Sequence, residues 1–284
     1  MRTFPDGSLK RLLPSCAALL TALAVPAAAG AWRQGTAVND EGVTLSLSRQ
    51  GDCVVWSLSE EGTPDVPDSS ALRGAVRSAF ETWNAVDCTF MRFVEGGASA
   101  CGCDDIGYDE NGRNANLVAW CEESWPADFP PEAIAITVVS YNQETGQIYD
   151  TDVAFNGTSF TFTAAGSGME TDVRNTMTHE AGHMIGIGES DVSEATMWPY
   201  SGPGDVEKRT LSDDDRAAVC AMYPVAADPG ECIRPYGGLA TCKGGCGCVI
   251  GPDEGESAGL FYGVILAAVL AIALMTARKR RRRL

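Results

Sequence analysis

Apolar positions recur along residues 43–224 with two different periods, and each period marks a kind of element. Leu72, Val76, Phe80 and Trp83 stand three and four residues apart behind Pro67-Asp68-Ser69-Ser70, which predicts a helix with a side-chain N-cap. Residues 116–120 predict a short strand. Residues 134–139 are a β-branched run, and residues 148–155 follow a turn at 142–146, so the pair predicts a hairpin. Residues 172–185 predict a second helix, stopped at Gly186. Ser212-Asp213-Asp214-Asp215 caps a last helix through Met222, with acidic side chains in its first turn. An early helix, a mixed sheet, a central helix and a terminal helix make an α+β domain.

The flanks carry different patterns. Arg2, Lys10 and Arg11 precede an apolar run over residues 12–25, and Ala27-Ala28-Ala29 and Ala29-Gly30-Ala31 both fit a small-x-small cleavage site. Residues 1–31 are therefore expected to be an export signal. Residues 225–257 are rich in glycine and cysteine and read as a stapled stalk. Residues 258–277 hold no charge over a length that spans hydrocarbon as a helix. The basic run Arg278-Lys279-Arg280-Arg281-Arg282-Arg283 follows, so residues 278–284 are expected to stay cytoplasmic. The expectation is an exported domain at the cell surface, attached to the membrane through its C-terminal segment.

Composition narrows the classes. A 45% hydrophobic share excludes wholesale disorder. The formal charge of −17 is more negative still between the two basic ends, which excludes a phosphate-backbone partner, so no nucleic acid is expected. Ten cysteines follow Cys16 in an exported chain, and disulfides are the expectation. Their pairing is not legible, and zinc at Cys101-Gly-Cys103 or Cys246-Gly-Cys248 is the weaker alternative because one-residue gaps do not match finger spacing.

The chemistry concentrates in residues 179–189. His179 and His183, the only two histidines, stand four apart, on one face of a helix, where both can hold one metal ion. Glu180, beside the first of them, can take a proton from water on that metal. Zinc lowers the pKa of such a water from 15.7 to roughly 7 and polarises a carbonyl, which is the apparatus of peptide hydrolysis.

The segment His179-Glu180-Ala181-Gly182-His183-Met184-Ile185-Gly186 resembles the metzincin signature, in which the glycine turns the chain back toward the metal. Ala195-Thr196-Met197-Trp198-Pro199-Tyr200 is similar to the Met-turn, and Leu211-Ser212-Asp213-Asp214-Asp215 to the start of the closing helix of the matrixin branch. Ile134-Ala135-Ile136-Thr137-Val138-Val139 and Asp150-Thr151-Asp152-Val153-Ala154-Phe155-Asn156 resemble sheet strands of bacterial matrixins. The resemblance implies a matrixin-like metzincin. Its fold would be a twisted mixed sheet with two long helices above a cleft, and a small C-terminal lobe with a closing helix. It implies a zinc endopeptidase whose peptide substrate lies along an edge strand. Met197 would form an apolar base under the metal, and Pro199 and Tyr200 the wall of a primed-side pocket.

Three departures qualify the resemblance. The third ligand position holds Glu189 in place of histidine. A carboxylate oxygen binds zinc at ordinary distance but leaves it a weaker Lewis acid, and Asp191 is the fallback ligand. No cysteine lies between the expected cleavage site and the domain, so latency through a propeptide cysteine is not expected. The histidines of the family's structural metal sites are absent too. Asp104, Asp105, Asp109 and Asn111 are a candidate calcium (Ca2+) loop, with a solvated acidic loop as the competing reading. The tail, with Gly245-Cys246-Gly247-Cys248 before the apolar helix and arginines, resembles the C-terminal sorting signals of myxobacteria-like bacteria. Glu189 also keeps open a rival reading of another class, a catalytically silent metzincin fold acting as a surface binding module.

Overall fold

The computed structural model describes residues 31–109, 114–230 and 232; the expected signal, nearly all of the stalk, the apolar segment and the basic tail lie outside them. No helix among the described residues is long and apolar enough to cross a membrane.

Ten strands and three helices make up the described chain. They are β1 (Thr36–Val38), β2 (Thr44–Ser46), β3 (Ser48–Arg49), β4 (Cys53–Ser59), α1 (Ser69–Asn84), β5 (Arg92–Ser99), β6 (Asn116–Trp120), β7 (Ala135–Tyr141), β8 (Gln147–Phe155), β9 (Phe162–Thr163), β10 (Thr171–Asp172), α2 (Val173–Met184) and α3 (Asp213–Met222). The main sheet runs β5-β4-β6-β8, all parallel, with β3 parallel to the start of β8. β7 is antiparallel to β8 and pairs with nothing else among the described strands, which makes it an edge. This is the mixed sheet and helix order expected of a metzincin. The structure adds β1 to β5, β9 and β10, which the pattern of apolar residues did not announce.

Period-two alternation sorts the sheet into two faces. Val118 and Trp120 join Val54, Trp56, Val153 and Phe155 in the large core under α1 and α2. Leu117, Ala119 and Ala154 face a smaller cluster with Ile106 and Phe129. α1 packs the stripe that its spacing predicted: Phe80 stacks on Trp56 with ring centroids 4.5 Å apart and meets Phe93 at 4.7 Å. Its N-cap is Asp68, whose carboxylate accepts from Ser70 N and Ala71 N. Trp83 closes the helix pair by donating Nε1–H to the Thr178 carbonyl at 2.8 Å.

α2 is buried along nearly its whole length. Its N-cap is Asp172, which accepts from Asn175 N at 2.7 Å and pairs with Arg209. Its last carbonyls are satisfied from other elements: Arg49 donates to Met184 O at 2.9 Å, and Tyr223 donates to Ile185 O at 2.5 Å. Burial pushes the Tyr223 hydroxyl up to about 12, so it keeps that donor proton.

The cysteines among the described residues are oxidised. Cys53 pairs with Cys232, Cys88 with Cys220, and Cys103 with Cys121, and Cys101 is disulfide-bonded as well. This corrects the zinc alternative at Cys101 and Cys103, since a disulfide sulfur is no thiolate ligand; Cys246 and Cys248 lie outside the described residues. The pairs staple β4 to residue 232, the end of α1 to α3, and the loop after β5 to the end of β6.

Candidate metal centre and catalytic residues

The chain must reverse sharply after α2 to bring residue 189 back to the helix. Gly186 allows this with φ +83°, a left-handed conformation that costs a residue with Cβ. A Cβ there would also lie 2.7 Å from the Leu47 carbonyl oxygen. The returning strand is clamped by the segment before β1: Gly35 N donates to Gly186 O at 2.7 Å, and Gly188 N to Arg33 O at 2.8 Å.

That turn brings three donors together. The Nε2 atoms of His179 and His183 are 3.2 Å apart, and Glu189 Oε1 lies 3.7 Å from the first and 3.4 Å from the second. Ligands at 2.0–2.1 Å around a tetrahedral ion stand about 3.3–3.4 Å from each other, so the triangle fits zinc. Each imidazole is oriented from behind. His179 Nδ1 is 2.7 Å from Thr196 O, and His183 Nδ1 is 2.8 Å from Ile187 O, which leaves both Nε2 lone pairs facing the cluster. The second oxygen of Glu189, Oε2, is buried without a hydrogen-bond partner. A buried carboxylate oxygen without a partner is costly unless a cation answers it. Asp191, the fallback, points elsewhere: it forms an exposed ion pair with Arg33 and does not join the cluster.

The electrostatics of the metal-free cluster follow from the same geometry. Burial disfavours charge on Glu189, yet the two imidazoles hold its carboxyl well below the usual carboxylate range. Burial likewise works against protonated His183, but the Glu189 hydrogen bond and charge, with Glu180, push it up to about 9. A metal ion at these three atoms would compete with the proton that His183 holds.

Glu180 is buried beside the cluster. Thr137 on the edge strand β7 donates its hydroxyl to Glu180 Oε2 at 2.6 Å, leaving Oε1 without a hydrogen bond among the described residues. Below the helix, Met197 is buried against Gly182, where a Cβ would overlap its Sδ. The turn carrying Met197 hangs from one carboxylate of α3: Asp215 accepts from Thr196 N at 2.8 Å and Met197 N at 3.0 Å, while also capping α3 through Ser212.

A cavity of about 350 Å³ is lined by Asn175, Trp198, Tyr200, Ser201, Asp205 and Lys208 among others. Tyr200 lines it and is exposed; Pro199 lies between the lining residues Trp198 and Tyr200. Thr137, Asp215 and Lys208 were not read from the sequence as site residues, because each meets the site through a contact far along the chain. Among the described residues, Asp104, Asp105 and Asp109 do not converge into a ligand group; Asn111 lies outside them. Asp105 instead accepts from Gly102 N at 2.9 Å.

The family model of the matrixins matches residues 49–224, more than half of the chain and most of the described fold. Among curated proteins none matches it. Sheet order, helix order, the His179–His183 pair and the matched span agree, and the chain belongs to the matrixin family of zinc metallopeptidases.

Proposed function

We propose that this protein is an exported, surface-tethered zinc endopeptidase in which His179, His183 and Glu189 hold the metal and Glu180 is the general base. The observation that carries the reading is the convergence of two Nε2 atoms and one Oε1 within 3.7 Å, each imidazole braced on a carbonyl. When bound, zinc supplies Lewis acidity, polarising the peptide carbonyl and making water acidic enough to yield its proton near neutral pH.

The chain's own residues do the rest. β7, an edge among the described strands, offers its free side to an extended peptide, which its main-chain groups orient across the cluster. Thr137 pins one oxygen of Glu180, and the other takes the proton from the attacking water and passes it to the leaving nitrogen. The cavity past Trp198 and Tyr200 receives a side chain on the primed side. Met197 keeps the floor apolar and fixed. Export and tethering rest on the sequence of the two ends: the basic start with its apolar run, and residues 258–277 before six basic side chains.

The test is zinc content and peptide-library cleavage by the purified full chain, beside Glu180→Ala and Glu189→Gln. One zinc per chain is expected, with kcat about 10²–10⁴-fold lower in Glu180→Ala, the range for loss of a general base. Zinc binding should weaken in Glu189→Gln and stay unchanged in Asp191→Asn. Stoichiometric zinc without cleavage of any peptide would favour the binding module, and absence of zinc uptake would overturn the site.

A further inference from the structure

Lys208 lies in a 3-10 turn, Glu207–Arg209, whose backbone is held by Asn175: its amide N donates to Asn175 Oδ1 at 2.8 Å. The side chain runs inward and is 9% exposed, rare for a lysine without a paired carboxylate. Its ammonium donates to Trp198 O and makes no ion pair among the described residues. Nζ lies 3.3 Å from His179 Nδ1. That contact is no hydrogen bond. Nδ1 gives its proton to Thr196 O, so two donors face each other. Two donors held so close, one of them a buried cation, require negative charge nearby. Burial pushes the ammonium below its ordinary value, and the carboxylates that oppose this most strongly are Glu189 and then Glu180, ahead of Asp205 and Asp215.

The ligand set explains why such a charge would be wanted. Two neutral imidazoles and a carboxylate carry one negative charge more than three imidazoles, and Glu180 adds another in the same buried space. We propose that Lys208 is the counter-charge of the carboxylate ligand: its ammonium, set against His179, offsets the negative charge of Glu189 and tunes how tightly the cluster holds a divalent metal. The inference rests on the zinc reading above. A fixed positive charge beside a ligand ring opposes cation binding and leaves the bound metal a stronger Lewis acid; its removal does the reverse. Lys208 is thus a positioning residue of electrostatic kind, acting through His179 and Glu189.

The sign of the effect separates this role from a structural one. Competition titrations with zinc alone, on the full chain, should show Lys208→Met binding zinc on the order of 10-fold more tightly, and Lys208→Arg within about 3-fold of the parent. Unfolding of the metal-free chain should show Lys208→Met less stable than the parent, with the loss smaller once Glu189→Gln is added, since Lys208 and protonated His183 share the neutralisation of that carboxylate. Should Lys208→Met fail to fold, Lys208→Gln carries the same comparison. Weaker or unchanged zinc binding in the neutral variants, or a stability loss that Glu189→Gln leaves in place, would overturn the proposal. These readouts need no proteolysis, so a chain that binds zinc as described but cleaves nothing sinks only the peptidase reading. A parent chain that takes up no zinc sinks both.

Discussion

Thr137 and Glu180 are joined by a 2.6 Å hydrogen bond from the edge strand to the helix that carries both histidines. The bond fixes one carboxylate oxygen and leaves the other to meet water, so the strand proposed to orient substrate also orients the proposed base.

Thr137→Val keeps the shape of the side chain and removes the donor. The expected outcome is a kcat lower by about 10-fold, the worth of roughly 1.4 kcal/mol, with KM and zinc content unchanged. Thr137→Ser should recover most of the rate. Steady-state kinetics on one peptide, with metal analysis of each variant, would decide it. A Thr137→Val enzyme with parental kcat would show that the bond does not hold the base.

Asp215 joins the Met197 turn to α3 by accepting from three backbone N–H groups and the Ser212 hydroxyl. Asp215→Ala leaves these donors buried and unpaired. A loss of about 2–4 kcal/mol is expected in urea unfolding, with zinc bound less tightly because Thr196 O braces His179. An exposed acid elsewhere in the first turn, Asp213, should change stability far less when replaced.

The pH dependence of the metal-free chain follows from His183. Its folded value is raised from 6.5 to about 9, so the native state holds the proton more tightly than the unfolded chain does. The resulting stability is fully present below pH 6.5 and is lost as pH rises through about 9. Zinc competes with that proton, so zinc affinity should change in the opposite direction, falling as pH drops below 9. Thermal unfolding across pH 6–10, with and without zinc, would check both slopes. A metal-free chain equally stable at both ends would contradict the proposed His183–Glu189 pairing.

Cys88 and Cys220 tie the end of α1 to α3 across 132 residues of chain. Replacing both by serine should cost about 2–5 kcal/mol, read from denaturant midpoints under oxidising conditions. The effect on α3 should reach the site through Asp215, so zinc binding is expected to weaken with stability.

How much of this was legible in the amino-acid sequence depends on the range of the interactions involved. The caps at Asp68 and Ser212, the β7–β8 hairpin, the stop at Gly186 and the histidine face of α2 are set by residues within a few positions of one another. Spacing alone expresses such interactions, and the motif order pointed to the family. β4 was not predicted because a central parallel strand, buried on both faces, lacks the alternation that marks a half-exposed one. β5 was missed because Gly96 and Gly97 dilute its strand signal. The disulfide pairing, the edge position of β7, the bond from Thr137 to Glu180, the grip of Asp215 on the Met197 turn and the burial of Lys208 beside His179 were decided only in three dimensions. The contacts among them join residues from 18 to 179 positions apart, and a linear pattern holds no record of which distant side chains packing will bring together.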